Sequence, residues 1–382
     1  MLISSTTKNN KVLRGLLWGI LKCILRREPN PFRALALLAR MLKRRRAILD
    51  SPKGGRYVSS HDRYFWESDA PGWPSAAFDK YIDNELGRYL PDRPEGIPLQ
   101  TVIFAITSRC PLQCRHCYEW DNLDAKEHLS PADLEVIMDK IRGQGIRHVQ
   151  LSGGEPLTRF QDLQHLTERY GREMDLWILT SGFGLTAEKA EALSKAGLTG
   201  ANISLDHWDP VQHNAFRIHE QSFYWAKEAA ANCRRAVLAV SLSLCAARSF
   251  VTQENLERYL ALSKEWQVDF IRILEPRPVG RFAGTEVSLG KAEEELLDSF
   301  YVTANSNQVR LRSPIVSYPG YYQRRTGCFG AGDRYLYIDS RGDFHACPFC
   351  LGNAGNALKD SIETAIAAMK QQGCHAFSSN KG

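Results

Sequence analysis

Short, continuous apolar runs alternate with longer segments in which apolar residues recur every three or four positions, from residue 100 to residue 275. The first pattern is typical of strands buried on both faces, and the second of amphipathic helices. The predicted strands are 101–107, 147–152, 174–180, 200–206, 236–245 and 268–275. The predicted helices are 130–144, 161–171, 186–197, 222–233 and 254–266. This alternation predicts an α/β fold with a parallel sheet, in which ligands bind at the carboxyl ends of the strands.

The N-terminal part of the chain has a different pattern. Two apolar stretches, 15–25 and 32–42, are separated by prolines and followed by the basic block 43–46. They predict two amphipathic helices, because the first stretch, at about 1.5 Å per residue, reaches roughly 16 Å and cannot cross a hydrocarbon core of about 30 Å. We expect this basic extension, residues 1–49, either to pack on the main domain or on a partner, or to lie on an anionic membrane surface. Residues 50–99 are predicted to be a lead-in segment that wraps the following domain.

Charge, chain length and cysteine content indicate which partners, how many domains and which compartment to expect. Residues 1–49 carry a net charge of +11, whereas the whole chain carries +6, so the remainder is acidic at −5. No nucleic-acid motif accompanies this basic segment, and nucleic acid is not expected as a partner. A chain of 382 residues, 43% of them hydrophobic, predicts two domains plus an extension. Ten cysteines, most of them in metal-ligand spacing and without a cleavable signal peptide, predict a cytoplasmic protein.

Three cysteines follow the first predicted strand: Cys110, Cys114 and Cys117, in C-x3-C-x2-C spacing. A four-iron cluster that is held by protein alone takes four thiolates, so a set of three leaves one iron open to another ligand. The spacing by itself also fits a zinc knuckle whose fourth ligand lies far away in the sequence.

Polar groups end the next three strands. The second strand runs into the turn Ser152-Gly153-Gly154-Glu155-Pro156, where glycine permits a close backbone approach and proline turns the chain. The third and fourth strands end in Thr180, Ser181, Ser204 and Asp206. The carboxyl ends of parallel strands share one edge, so we expect these groups to converge with the cysteines. Taken alone, Ser204 and Asp206 are also typical of a strand end or a helix cap.

The cysteine triplet followed by Gly153–Pro156 resembles the radical S-adenosylmethionine (radical SAM) superfamily over residues 100–280. The resemblance implies a partial (β/α)6 TIM-like barrel at 100–290, in which the three cysteines hold a [4Fe-4S] cluster and SAM binds the open iron. It also implies that the reduced cluster cleaves SAM to a 5′-deoxyadenosyl radical, which abstracts hydrogen from a substrate. The residues implied to bind SAM are Gly153, Gly154, Glu155, Pro156, Thr180, Ser181, Ser204 and Asp206.

A second group of cysteines lies near the C-terminus: Cys328, Cys347, Cys350 and Cys374. The alternating run 335–339, a turn and the return 344–350 predict a hairpin with thiols at both ends. This pattern resembles the SPASM or twitch extension of radical SAM enzymes. The resemblance implies a small hairpin and helix domain at 291–382 with one auxiliary [4Fe-4S] cluster. A structural zinc ribbon is the alternative.

The resemblance implies an enzyme that oxidises or rearranges a peptide or small-molecule substrate, with an electron donor such as flavodoxin or ferredoxin. No acid or base is assigned, because Glu275, Arg277 and Arg272 either face the substrate or form ion pairs. One alternative is modification of a lipid or lipid-linked metabolite at a membrane surface, motivated by residues 1–49. Another is a non-catalytic iron–sulfur electron carrier.

Overall fold

The structure is a computed structural model that describes residues 1–49, 56–90, 99–123, 126–306, 313–330 and 332–374. The strands are β1 Val58–Ser60, β2 Arg63–Phe65, β3 Thr101–Ala105, β4 His148–Ser152, β5 Asp175–Thr180, β6 Gly200–Ser204, β7 Ala239–Cys245, β8 Phe270–Leu274, β9 Ile315–Ser317, β10 Tyr335–Ile338 and β11 Phe344–His345. The helices are α1 Thr6–Arg27, α2 Pro31–Leu49, α3 Ala76–Leu86, α4 Pro131–Gly143, α5 Phe160–Tyr170, α6 Ala187–Ala196, α7 Pro210–Arg217, α8 Ser222–Arg235, α9 Gln253–Glu265, α10 Lys291–Asn305, α11 Pro319–Thr326 and α12 Ile362–Gln372. Short 3-10 helices lie at Trp120–Asn122, Pro156–Arg159 and Gly280–Phe282.

One sheet organises the core. Its strand order is β11-β10-β3-β4-β5-β6-β7-β8-β9, and every neighbouring pair is parallel except β10 and β11. The six predicted strands are β3 to β8, and the five predicted helices are α4, α5, α6, α8 and α9. The α/β fold with a parallel array is therefore confirmed. The strands β3, β4 and β5 are almost wholly buried, as expected for a parallel sheet covered on both faces.

The C-terminal hairpin is part of the same sheet. Strands β10 and β11 pair antiparallel as predicted, and β10 also pairs in parallel with β3, in the register Tyr335 with Thr101. Without β10, the buried strand β3 would be a sheet edge with unpaired backbone groups. Strand β9 pairs with β8 at the opposite edge. The proposed division between 290 and 291 stays a prediction, since strands from both sides of it share one sheet.

The basic extension forms the helical hairpin α1–α2, in agreement with the apolar pattern. Buried residues of α1 pack on α3, which supplies Phe78 and Ile82 to the same apolar cluster as Leu16 and Ile24. Arg27 donates two hydrogen bonds to Asp83, at 2.7 and 2.6 Å. One apolar face of the hairpin is therefore covered by the chain itself. Of the helices that the structure describes, none is long and apolar enough to cross a membrane.

The lead-in segment contributes β1, β2 and α3, while its residues 50–55 and 91–98 lie outside the described part. Asp175, at the start of β5, fastens the lead-in to the sheet. Its buried carboxylate forms an ion pair with Arg63 and accepts the Gly72 N–H at 2.7 Å. These contacts hold the described part of the segment against the start of β5.

Candidate active site

The cysteine loop follows β3 and lies against the turn that follows β4. The Gly154 N–H donates to the Thr107 carbonyl at 2.9 Å, and the Glu155 N–H donates to the Arg109 carbonyl at 2.8 Å. These two bonds hold the loop that carries Cys110 directly over the glycine turn. The two motifs, 36 or more positions apart in the sequence, therefore form one structural unit.

The glycines are required because the cysteine loop approaches so closely. A Cβ on Gly154 would lie 2.4 Å from the Arg109 carbonyl oxygen and 2.9 Å from the Cys110 Cβ. Gly153 has a φ of 139°, and a Cβ there would lie 2.3 Å from the Thr107 carbonyl oxygen. The close approach that glycine permits is here an approach to the cysteine loop, and an approach of this turn to a ligand stays a prediction.

Glu155 lies beneath the turn with its acceptors occupied. Its Oε1 accepts from the Thr180 hydroxyl at 2.7 Å and from the Leu157 N–H at 3.1 Å. Its Oε2 accepts from the Ser181 N–H at 2.7 Å and from the Ser181 hydroxyl at 2.6 Å. Burial raises the pKa of Glu155, while these hydrogen bonds act to lower it. In this structure the carboxylate ties the ends of β4 and β5 together.

Asp206 follows β6 and is likewise buried and fully engaged. Its Oδ2 accepts from Arg217 Nε at 2.6 Å and its Oδ1 from the Cys245 N–H at 3.0 Å. Burial alone would raise the pKa of Asp206, but the adjacent Arg217 lowers it to about 2. Arg217 in turn directs Nη1 to the Cys114 Sγ at 3.5 Å. Asp206 therefore reaches the cysteine loop through a second residue.

One cavity of about 980 Å³ connects the two cysteine groups. Glu155 and Pro156 lie behind its wall rather than on it. The other predicted site residues all line it: Cys110, Cys114, Cys117, Gly153, Gly154, Thr180, Ser181, Ser204, Asp206, Cys328, Cys347, Cys350 and Cys374. The strand-end rule predicted the convergence of the residues from Cys110 to Asp206, whereas the position of the second cysteine group on the same cavity was not predicted.

The second cysteine group is arranged in pairs. Cys347 and Cys350 face each other across an isolated bridge, and a hydrogen bond links their thiols. The thiols of Cys328 and Cys374 are also hydrogen-bonded to each other. Backbone N–H groups point at the sulfurs, from Gly330 to Cys328 at 3.2 Å and from residue 349 to Cys347 at 3.4 Å. Such donors stabilise thiolates in iron–sulfur sites.

The three thiols of the first loop fit a four-iron cluster, which binds each thiolate through a different iron and leaves the fourth iron open. A zinc ion would instead need its thiolates about 2.3 Å from one point. In the ranges that the structure describes, no three His, Cys, Asp or Glu side chains are placed to hold one ion. Burial raises the pKa of Cys110, Cys114 and Cys117, so thiolates here need the positive charge of a bound metal.

A polar network inside the barrel was not predicted. Arg272 Nη1 donates to Asp69 Oδ1 at 2.9 Å and to Gln150 Oε1 at 3.3 Å, and all three residues line the cavity. Gln150 and Arg272 interrupt apolar strand runs, which is a signal that the sequence carries. Asp69 comes from the lead-in segment, and its sequence context shows no such signal.

The acidic and basic residues after β8 form ion pairs. Arg277 Nη2 lies 3.0 Å from Glu275 Oε2, and Arg324 also pairs with Glu275. The Tyr318 hydroxyl donates to the same carboxylate at 2.6 Å. Glu275 and Arg277 therefore form ion pairs and also line the cavity, so a contact with the substrate stays a prediction. Through Arg324, Glu275 joins the end of β8 to α11.

Comparisons with known proteins agree with this geometry. Residues 104–263 match the family model of the Radical SAM superfamily. The PqqA peptide cyclase of Xanthomonas axonopodis pv. citri (strain 306) is 27% identical over 258 residues, which are 65% of this chain and 68% of the relative. The PqqA peptide cyclase of Xanthomonas oryzae pv. oryzae (strain MAFF 311018) is 25% identical over 72% of this chain and 75% of its own.

Solved structures share the fold at low identity. Streptococcus suis SuiB bound to its precursor peptide SuiA has a TM-score of 0.55 at 14% identity, over 74% of this chain and 67% of SuiB. The enzyme anSMEcpe with bound AdoMet has a TM-score of 0.54 at 15% identity, over 69% of this chain and 80% of its own. Together with the cysteine loop and the glycine turn, the family match leads to one conclusion. This chain carries a radical SAM domain over residues 104–263 and is a radical SAM enzyme, of the class that uses a [4Fe-4S] cluster and SAM.

Proposed function

We propose that this enzyme modifies a peptide, with Cys110, Cys114 and Cys117 holding the SAM-binding cluster. When bound, the cluster and SAM together supply a 5′-deoxyadenosyl radical that abstracts a hydrogen atom from the substrate. The chain's own part is to position both molecules and to exclude water from the cavity. The observation that carries the proposal is the single cavity, which is lined by both cysteine groups and by the ends of β4, β5 and β6.

The preference for a peptide rests on the relatives. The cavity volume of about 980 Å³ lies within the range of ordinary ligand sites, roughly 300–1,000 Å³, and SAM would share this space with the substrate. The PqqA peptide cyclases and the SuiB complex with its precursor peptide are relatives named for peptide substrates. A small-molecule substrate is the second candidate.

Within this proposal, the predicted SAM-binding residues divide into two groups. Gly153, Gly154 and Ser204 line the cavity and would contact the nucleoside or its amino-acid part. Glu155 and Pro156 would act from behind, by fixing the backbone and side chains that make contact. Asp206 lines the cavity and also accepts a hydrogen bond from Arg217. Thr180 and Ser181 take part in both, since they line the cavity and donate to Glu155.

The test is anaerobic reconstitution with iron and sulfide, followed by reductant, SAM and a candidate precursor peptide. We expect 5′-deoxyadenosine from the native chain and none from Cys117→Ala. A deuterated peptide that passes its label into 5′-deoxyadenosine identifies the substrate. If the native chain binds iron but never forms 5′-deoxyadenosine, it is an electron carrier. If only deuterated small molecules transfer label, the peptide proposal is wrong.

We further propose one auxiliary [4Fe-4S] cluster on Cys328, Cys347, Cys350 and Cys374. The support is their shared cavity wall and the N–H groups directed at two of the sulfurs. With two clusters the chain should hold about eight iron atoms, and Cys347→Ala/Cys350→Ala about four. If the native chain binds zinc, and the double variant loses this zinc but keeps the iron content of the native chain, the site is a zinc ribbon instead.

Two partners complete the proposal. An electron donor such as flavodoxin or ferredoxin would reduce the cluster, and the helical hairpin α1–α2 would contact an anionic membrane.

The exposed side chains of the hairpin favour the membrane contact. Trp18, Phe32 and Leu35 are 56%, 83% and 52% exposed on a hairpin that is rich in Lys and Arg. Aromatic and basic residues together are typical of interfacial helices. Flotation with phosphatidylserine vesicles should carry the native chain upward and leave Trp18→Ser/Phe32→Ser behind. Equal flotation of both would remove the membrane proposal.

A further inference from the structure

The C-terminal end of α7 is fastened to the cysteine loop. The Arg115 N–H donates to the Phe216 carbonyl at 3.0 Å, and the His116 ring stacks on the Phe216 ring at a centroid distance of 4.7 Å. The next residue, Arg217, is the last of α7 and is only 8% exposed. Its guanidinium is thus held in the interior at the base of the loop.

The guanidinium has a defined orientation. Its Nε donates to Asp206 Oδ2 at 2.6 Å, and Asp206 is itself fixed by the Cys245 N–H at 3.0 Å. This pairing leaves Nη1 directed at the Cys114 Sγ at 3.5 Å, within reach of a hydrogen bond to sulfur. Asp206 and Arg217 side chains are 2% and 10% exposed, so solvent does not compete for either charge. A buried charge-assisted bond to a thiolate is strong and geometrically fixed.

We infer that Arg217, oriented by Asp206, is a positioning residue that hydrogen-bonds the Cys114 thiolate and makes the proposed SAM-binding cluster easier to reduce. The inference rests on the proposed function, in that Cys114 is a cluster ligand. Reduction adds one negative charge to the cluster, and a cation that donates to its sulfur stabilises that charge. The electron itself comes from the reductase or chemical reductant that the enzyme class requires.

Arg115 provides a matched control. It lies between Cys114 and Cys117 in the sequence, carries the same charge and is exposed. Arg217→Gln removes the bond to sulfur together with the charge, whereas Arg115→Gln removes a charge of the same sign from the same loop. A difference between the two variants therefore reports the buried hydrogen bond.

The experiment first measures the iron content of each variant. It then measures the midpoint potential of the proposed SAM-binding cluster, by electron paramagnetic resonance during a redox titration without SAM. The titration uses the chain with Cys347→Ala/Cys350→Ala, so that one cluster contributes to the signal. We expect Arg217→Gln to lower the equilibrium constant for reduction about tenfold, which is roughly 60 mV for one electron. Arg115→Gln should change it less than about threefold.

Equal potentials for the parent and Arg217→Gln would overturn the inference, and so would equal shifts for the two arginine variants. If Arg217→Gln loses iron, Arg217→Lys is titrated instead, since it keeps the charge and loses the fork geometry. We then expect about a threefold loss, and an unchanged potential would overturn the inference. Failure of the proposed function is seen separately, as absence of 5′-deoxyadenosine from the native chain.

Discussion

Gly154→Ala should dislodge the cysteine loop. The added Cβ would lie 2.4 Å from the Arg109 carbonyl oxygen and 2.7 Å from its carbonyl carbon, while ordinary contact begins at 3.4 Å. The loop must therefore retreat by about 1 Å, and no side-chain rotation relieves the clash because both atoms are backbone. Overpacking costs about 1–3 kcal/mol, and we expect the upper end here.

Gly143→Ala is the matched control for this variant. Gly143 is the last residue of α4, and a Cβ there meets nothing within 4 Å. The same substitution should leave stability unchanged or raise it by up to about 1 kcal/mol, because alanine restricts the unfolded chain more than glycine does. Urea denaturation measures the free energy of unfolding, and iron analysis after anaerobic reconstitution measures whether the loop still forms a site. We expect Gly154→Ala to lose iron from the first cluster as well. If Gly154→Ala has the urea denaturation midpoint and the iron content of the native chain, the steric argument is refuted.

Three further results are expected. Asp175→Ala leaves the Arg63 guanidinium, 19% exposed, without its carboxylate and should cost about 3–5 kcal/mol in urea denaturation; a loss below about 1 kcal/mol would contradict this. The hydrogen bond from Arg27 lowers the pKa of Asp83, so the pair stabilises the fold above the unfolded pKa of about 3.9 and loses this contribution as pH falls through the lower folded value. Stability curves of the native chain and Arg27→Gln should differ by at most about 1 kcal/mol at neutral pH and converge below pH of about 3, whereas a constant difference across this range would be inconsistent with the pairing. Removal of iron by an anaerobic chelator should lower the melting temperature, because iron binds the folded chain more tightly than the unfolded one; equal melting temperatures would show that the site adds nothing to stability.

The strands and helices were predicted correctly where the local pattern of apolar residues reflects how the segment is buried in the fold. Strands β3 to β8 are buried on both faces, so their apolar runs record their surroundings directly. Strand β10 was predicted as one side of a hairpin, and its parallel partner β3 could not be predicted. That pairing joins segments more than 230 positions apart, and an apolar strand pattern does not encode its neighbour.

The candidate site divides in the same way. Residue type and strand-end position were enough to place Cys110, Cys114 and Cys117 with Gly153, Gly154 and Ser204 around one cavity. The role of Glu155 was different, since its carboxylate accepts four hydrogen bonds, from Thr180 at the end of β5, from Ser181 after it and from its own turn. The sequence shows which side chains can donate or accept hydrogen bonds, but the packing of the folded chain decides which partners they bond.

Taken by itself, the sequence determined the βα order, the two sets of thiols and the rim on which ligands would bind, because each depends on periodicity or on residues close together in the chain. Only the tertiary structure decided that Asp206 pairs with Arg217 and leaves it directed at Cys114, and that Asp69 of the lead-in segment reaches Arg272. These contacts join side chains from separate elements at distances of about 3 Å, which are set by how helices and strands pack in three dimensions. No pattern along one chain specifies such distances.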